Sequence, residues 1–214
     1  MKKFLFFIFI VLLIIFITYI FYFLNVIPHK SYDNNYFNIP TYKSNIDMDN
    51  DNVDDQTDIL QNAKEYIKRR PKYKSKYYST GYPNDEYGVC TDVIAISLLN
   101  SGYDLQELVY QDILQNKQNY DIGTIDRNID FRRVRNLNVY FKNNHISLTT
   151  DITKIDEWQG GDIVVFKEHI GLISDKRNKN GIPFVIHHSN PFQIRYEEDI
   201  LENRDDIIGH YRIS

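Results

Sequence analysis

Residue 90 is the single cysteine in a chain of 214 residues that also holds six histidines. A thiol serves as a nucleophile when an imidazole within hydrogen-bond reach takes its proton and a third polar group orients that imidazole. Cys90 opens the run Cys90-Thr-Asp-Val-Ile-Ala-Ile-Ser-Leu-Leu99, which reads as a mostly buried helix stopped by Gly102. The sulfur therefore falls in a first helical turn. The free N–H groups and positive dipole end there favour a thiolate and could hold the oxyanion of an acyl-transfer intermediate. Thr91 and Asp92, next in that turn, are candidates for oxyanion or substrate contacts. A lone Cys on an apolar helix is more often a buried structural residue, so the histidines must decide.

His29 and His145 lie in polar segments and are poor partners. His169 opens the apolar stretch His169-Ile-Gly-Leu-Ile-Ser174, where a ring can reach past a sheet end. His187 and His188 end the next stretch, Phe184-Val-Ile-His-His188. Strand alternation puts only one of that pair on the face of His169, and apolar residues on both faces leave the choice open. His210, on a closing strand, is expected to be structural. Metal-ligand spacings such as CxxC and HExxH are missing from the sequence, and neither a metal nor a cofactor is expected.

The elements that must bring these groups together follow from the apolar pattern. Phe4 to Leu24 is apolar apart from Thr18, Tyr19 and Tyr22, about the ~20 residues that cross a bilayer as a helix. Lys2 and Lys3 precede it, and no small-residue cleavage site follows it. The expectation is an uncleaved single-pass anchor over 1–25, N-terminus cytoplasmic, with the rest of the chain outside. Residues 26–56, rich in Asn, Asp and Tyr, read as a flexible acidic stalk holding the domain off the membrane. One domain should occupy 57–214. Its first helix carries Ile59, Leu60, Ala63 and Ile67 and ends before Pro71. A second follows at Cys90, a third after Asp104 with Glu107 in a capping box, and a fourth spans about 133–143. Short strands follow at 162–166, 169–174, 184–188 and 207–213, joined by short connections that favour antiparallel pairing. Helices first and strands after make an α+β pattern. The basic strip from Lys68 to Lys76 is expected to be a solvated surface. A net charge of −4 and a pI near 5.9 give no global basic excess for nucleic acid.

Several stretches in this order resemble the DUF1287 family: Tyr87-Gly-Val-Cys-Thr-Asp-Val93, Asn128-Ile-Asp-Phe-Arg-Arg-Val-Arg-Asn-Leu137, Trp158-Gln-Gly-Gly-Asp-Ile-Val-Val-Phe166, His169-Ile-Gly-Leu-Ile-Ser-Asp175, Val185-Ile-His187 and Gly209-His-Tyr-Arg212. The resemblance covers about residues 59–214. It places the chain near the NlpC/P60 papain-like cysteine hydrolases and implies a papain-like fold, helices packed on a small antiparallel sheet. By motif position it implies Cys90 as nucleophile, His169 as base and His187 as the orienting residue. His188, beside them, is a candidate substrate contact. Tyr78-Ser-Thr-Gly81 matches the Tyr-x-x-Gly that precedes the Cys in NlpC/P60 proteins, whose Tyr lies near the thiol. Val-Cys-Thr-Asp replaces the commoner Asp-Cys-Ser-Gly, which bears on the substrate. Asp130, Arg132 and Arg133 fit the DUF1287 pattern and are expected to be structural.

These readings converge on a membrane-anchored extracytoplasmic thiol hydrolase cutting an amide of the cell envelope, with peptidoglycan stem peptides as the expected substrate. Transfer of the acyl group to another nucleophile on the same fold is the alternative enzyme. An anchored wall-binding module without activity is the non-enzymatic one.

Overall fold

The computed structural model describes residues 2–214. Helix α1 (Lys2–Phe23) has no buried residue and is long and apolar enough to cross a membrane. Three further helices build one layer. In α2 (Asp55–Lys68) Asp54 caps the N-terminus, its carboxylate accepting from Thr57 N and Oγ1, and Ile59, Ala63 and Tyr66 face inward. It ends before Arg70, at φ +50°, and Pro71. Helix α3 (Cys90–Asn100) buries Val93, Ile94, Ala95 and Leu98 and stops at Gly102, which turns the chain at φ +88°. Helix α4 (Leu105–Asn116) starts at the N-cap Asp104, with Gln106 N donating to its carboxylate. A short α5 (Arg127–Asp130) and α6 (Val134–Asn144) complete the helical part.

Two residues at Lys72–Tyr73 (β1) pair in parallel with Tyr87–Gly88 (β2), closing the loop between them. The second layer is a six-stranded antiparallel sheet of β3 (Ile146–Ser147), β4 (Ile163–Phe166), β5 (Ile170–Arg177), β6 (Pro183–Ile186), β7 (Glu197–Glu198) and β8 (Ile207–Arg212). Its order is β3-β8-β4-β5-β6-β7. Strand β4 explains why its sequence is apolar without alternation. Ile163 and Val165 join the helical core, while Val164 and Phe166 point to a second cluster with Trp158, Ile173, Val185 and Leu201. The architecture is α+β, as the order of elements suggested.

The segment expected to be a free acidic stalk over 26–56 is instead laid along the domain. Tyr32 pairs with Arg177 by two backbone hydrogen bonds, at 2.9 and 2.8 Å. The fully buried Arg177 guanidinium donates to Asn34 Oδ1 and to the carbonyls of Ile155, Gly181 and Trp158. Gln159 reaches Asn34, Tyr42 N and the Pro40 carbonyl. Burial lowers the Arg177 pKa to about 10, opposed by Asp162 and Asp156. A buried guanidinium this fully hydrogen-bonded holds distant segments together, because removing any acceptor strands a charge in protein. The domain therefore begins well before residue 57.

The stretch Trp158 to Asp162 is a structural hub. The buried Asp162 carboxylate accepts from Arg212, His210, Gln56 and Gln159 N. His210 stacks on Trp158 at 3.7 Å with an interplanar angle of 6°, so its role is structural.

Candidate functional site

Cys90 is the first residue of α3, and β5 runs against that helix terminus. The sulfur faces the backbone N–H groups of Ile170, Thr91 and Cys90 itself, all of which favour a thiolate. Burial outweighs them, with the Asp92 carboxylate adding to it, and pushes the thiol up to about 11. The helix-start N–H groups act in the expected direction, and burial opposes them and leaves the thiol above its ordinary value. Tyr73, on β1, has its hydroxyl pushed up by burial first and by Cys90 second.

His169 immediately precedes β5, one residue from the amide that faces Cys90. Its Nε2 lies 2.9 Å from His187 Nδ1, and His187 Nε2 lies 3.1 Å from Glu198 Oε2. His187 follows β6 and Glu198 lies on β7, so three neighbouring elements of one sheet edge carry the row. A carboxylate only accepts hydrogen bonds, so a neutral His187 that donates Nε2–H to Glu198 accepts at Nδ1. His169 then donates from Nε2 and leaves Nδ1 as an unprotonated lone pair. Burial, followed by His187 and Arg204, lowers the His169 pKa to about 3, so the ring is neutral. Among the described residues no hydrogen bond joins the Cys90 sulfur to the His169 ring; the link between their elements is the Ile170 N–H. Catalytic hydrogen bonds are often long without substrate and tighten around it.

Of the two candidates at the end of β6, His187 is the one that meets His169. His188 is buried with its Nδ1 unpartnered, and its ring is met edge-on by Tyr73 at 5.3 Å and Tyr196 at 4.8 Å. Burial, then His187, lowers its pKa to about 4. Gly171 lets β5 approach β6 closely: a Cβ there would run into Val185 Cγ1 and stand 3.4 Å from His187 Cβ.

The remaining sequence candidates have other partners. The Asp92 carboxylate is held by Arg132 Nε and NH2 at 2.7 and 2.9 Å and accepts Val89 N at 2.8 Å, so it is a buried helix cap rather than a substrate contact. Tyr78 gives its hydroxyl to Asp85 at 2.8 Å and its ring to the Arg132 guanidinium, so it is not the tyrosine beside the thiol. Its Tyr-x-x-Gly match is local wording, whereas the β1–β2 pairing sets Tyr73 opposite Gly88, two residues from Cys90. Thr91 is buried with an unpartnered hydroxyl. Arg132 is structural, as expected of it, and half of the basic strip is paired, with Lys68 on Glu65, Lys72 on Glu86 and Lys76 on Asp85.

Glu198 and Tyr73 are the site residues that sequence reasoning missed. Far from this row, Asp47, Asp49 and Asp51 bring one carboxylate oxygen each within 4.8 Å of one another. These are hard donors of the kind divalent cations take. The loop's own Asp51, Asn52 and Val53 N–H groups already occupy some of their lone pairs.

Comparison with known proteins adds a family. The chain is 35% identical over 167 residues to the uncharacterized protein YijF of Escherichia coli (strain K12), covering 72% of this chain and 80% of that protein. No solved structure matches it. The model of a domain of unknown function, DUF1287, matches residues 60–213, from the second turn of α2 through β8 and including Cys90, His169, His187 and Glu198. The chain belongs to the DUF1287 family.

Proposed function

We propose that this domain is a thiol hydrolase of the NlpC/P60-like, papain-like kind. It would act outside the membrane that α1 crosses and cut an amide of the cell envelope, with peptidoglycan stem peptides as the substrate. The single observation that carries the reading is the row Glu198–His187–His169 at the sheet edge beside a helix-opening Cys90. His210, the structural histidine, satisfies both ring nitrogens with Thr149 O and Asp162. His169 keeps Nδ1 free instead.

The chemistry follows from the tautomers. Substrate entry brings its carbonyl carbon against the Cys90 sulfur. His169 Nδ1 takes the thiol proton as the sulfur attacks, because both groups rest neutral. Backbone N–H groups at the start of α3 hold the tetrahedral oxyanion. Collapse breaks the C–N bond, with the amine leaving on the proton held by His169. A water molecule, deprotonated by the same nitrogen, then hydrolyses the thioester and returns the thiol. His187, fixed by Glu198, stabilises the transient imidazolium without changing its own proton count.

The test is digestion of purified peptidoglycan by the full chain in detergent, read by mass spectrometry. Wild-type protein should release cleaved stem peptides, Cys90→Ala should release none, and His187→Asn should slow release without ending it. Retained hydrolysis by Cys90→Ala would refute the assignment. Trapping of the acyl group by an added amine in place of water would identify a transferase.

A further inference from the structure

We propose that the cleft at the foot of α1 binds the phosphate headgroup of an anionic membrane lipid. This cleft, of about 520 Å³, is formed where the segment leaving α1 meets the end of α2 and the sheet edge, and Pro28, His29, Arg70 and Arg195 are among its walls. The inference is independent of the chemistry at Cys90, and it rests on α1 lying in the bilayer.

Charge is the first argument. The lysines of the cleft are already engaged: Lys64 with Asp175, Lys68 with Glu65 and Lys176 with Glu197. Arg70 and Arg195, which line the same cavity, have no carboxylate partner among the described residues. Two guanidinium side chains at one cavity match the oxygens of a phosphate. Arg70 is held at φ +50°, just past the end of α2.

Depth is the second. Helix α1 ends at Phe23, and Arg195 Nε donates to the Val26 carbonyl at 3.4 Å, three residues beyond. Three extended residues span at most ~10 Å, and the headgroup layer on each face of a bilayer is of similar thickness. The exit is also short of slack. His29 stacks on Tyr22 at 3.9 Å, its ring nitrogens meet Tyr22 O and Asp199, and Asn25 accepts from Asp199 N. With α1 in the membrane, the cleft therefore sits at the level of the headgroups.

The third argument comes from the loop that carries Arg195. Phe192 is 89% exposed and Ile194, which lines the cleft, is 51% exposed. Apolar side chains flanking a cationic pocket are the pattern of a surface that enters the interfacial layer.

The test uses the full chain purified in a neutral detergent and titrated with phosphatidylglycerol, phosphatidylcholine or inorganic phosphate, with bound lipid counted by native mass spectrometry. Phosphatidylglycerol should bind about tenfold more tightly than phosphatidylcholine. The double variant Arg70→Gln/Arg195→Gln should lose that preference, and Arg127→Gln/Arg135→Gln, remote from the cleft, should keep it. The assignment is overturned if the first double variant retains the preference, if the remote one loses it equally, or if inorganic phosphate binds as well as the lipid. Phe192→Trp in anionic nanodiscs should be quenched by lipids brominated near the headgroup; an unquenched residue 192 would overturn the placement.

Discussion

Alkylation of Cys90 should be slow at neutral pH and accelerate about tenfold per pH unit up to about pH 10. The ordinary value for the thiol is 9.0, and burial pushes it to about 11 in the folded chain. Two units correspond to ~3 kcal/mol against the thiolate. The attacking species is the thiolate, so the rate follows its fraction. At pH 8 a thiol near 11 is ionised to roughly one part in a thousand, against roughly one in ten for a thiol near 9. Iodoacetamide should therefore label Cys90 about a hundredfold more slowly at pH 8 than it labels a peptide of residues 87–93. Site occupancy by mass spectrometry from pH 5 to 10 gives the profile, with circular dichroism checking that the fold persists. His169→Ala should leave the profile in place, because a ring near 3 offers no positive charge for a thiolate above pH 5. A rapid plateau between pH 5 and 8 that vanishes in His169→Ala would refute the reasoning. It would mean that a preformed thiolate–imidazolium pair overrides burial, and that the proton moves before rather than during attack.

Glu198→Gln should release the tautomer lock, since an amide can donate as well as accept. Long-range proton–nitrogen spectra should show His169 protonated on Nε2 in the wild type and a mixture in the variant, with turnover falling about tenfold or more; an unchanged tautomer would sink the relay. Acid should destabilise the fold through His188, whose pKa is depressed to about 4. The unfolded chain then binds a proton that the folded one refuses, so stability is full above about pH 6.5 and declines as pH falls toward 4. Denaturant melts at pH 7.5 and 4.5 should show His188→Phe sparing about 2–3 kcal/mol of that loss, and an equal loss in both proteins would disprove it. Asp92→Asn should cost about 3–5 kcal/mol in urea unfolding, because it leaves the Arg132 guanidinium buried without its anion; a cost below about 1 kcal/mol would show that the pair is not structural.

How much of this was legible in the sequence depended on whether the deciding interaction was local. Helix α3 and strands β4, β5 and β6 were readable because their apolar residues are numerous and bounded by turn residues. The edge strand β7 was not: Glu197-Glu198 has no apolar alternation and becomes a strand through backbone pairing with β6. With it went Glu198, which no spacing rule connects to His187. The segment before residue 55 has the composition of a disordered stalk, yet it is ordered by acceptors for one buried guanidinium. Arg177 lies more than a hundred residues downstream, so no window of local composition could contain both partners.

The same distinction governs the nucleophile. A helix N-terminus is a local feature and correctly suggested N–H groups around the sulfur, which Thr91 and Cys90 provide. Desolvation is global, set in part by β5 packed against α3, and it reverses the sign of the shift. A thiol kept neutral until substrate arrives resists oxidation and adventitious alkylation, since both require thiolate character. In a domain with one unpaired cysteine, that protection comes from the packing that also withholds reactivity. In the proposed mechanism the free Nδ1 of His169 restores it when a substrate carbonyl draws sulfur and imidazole together.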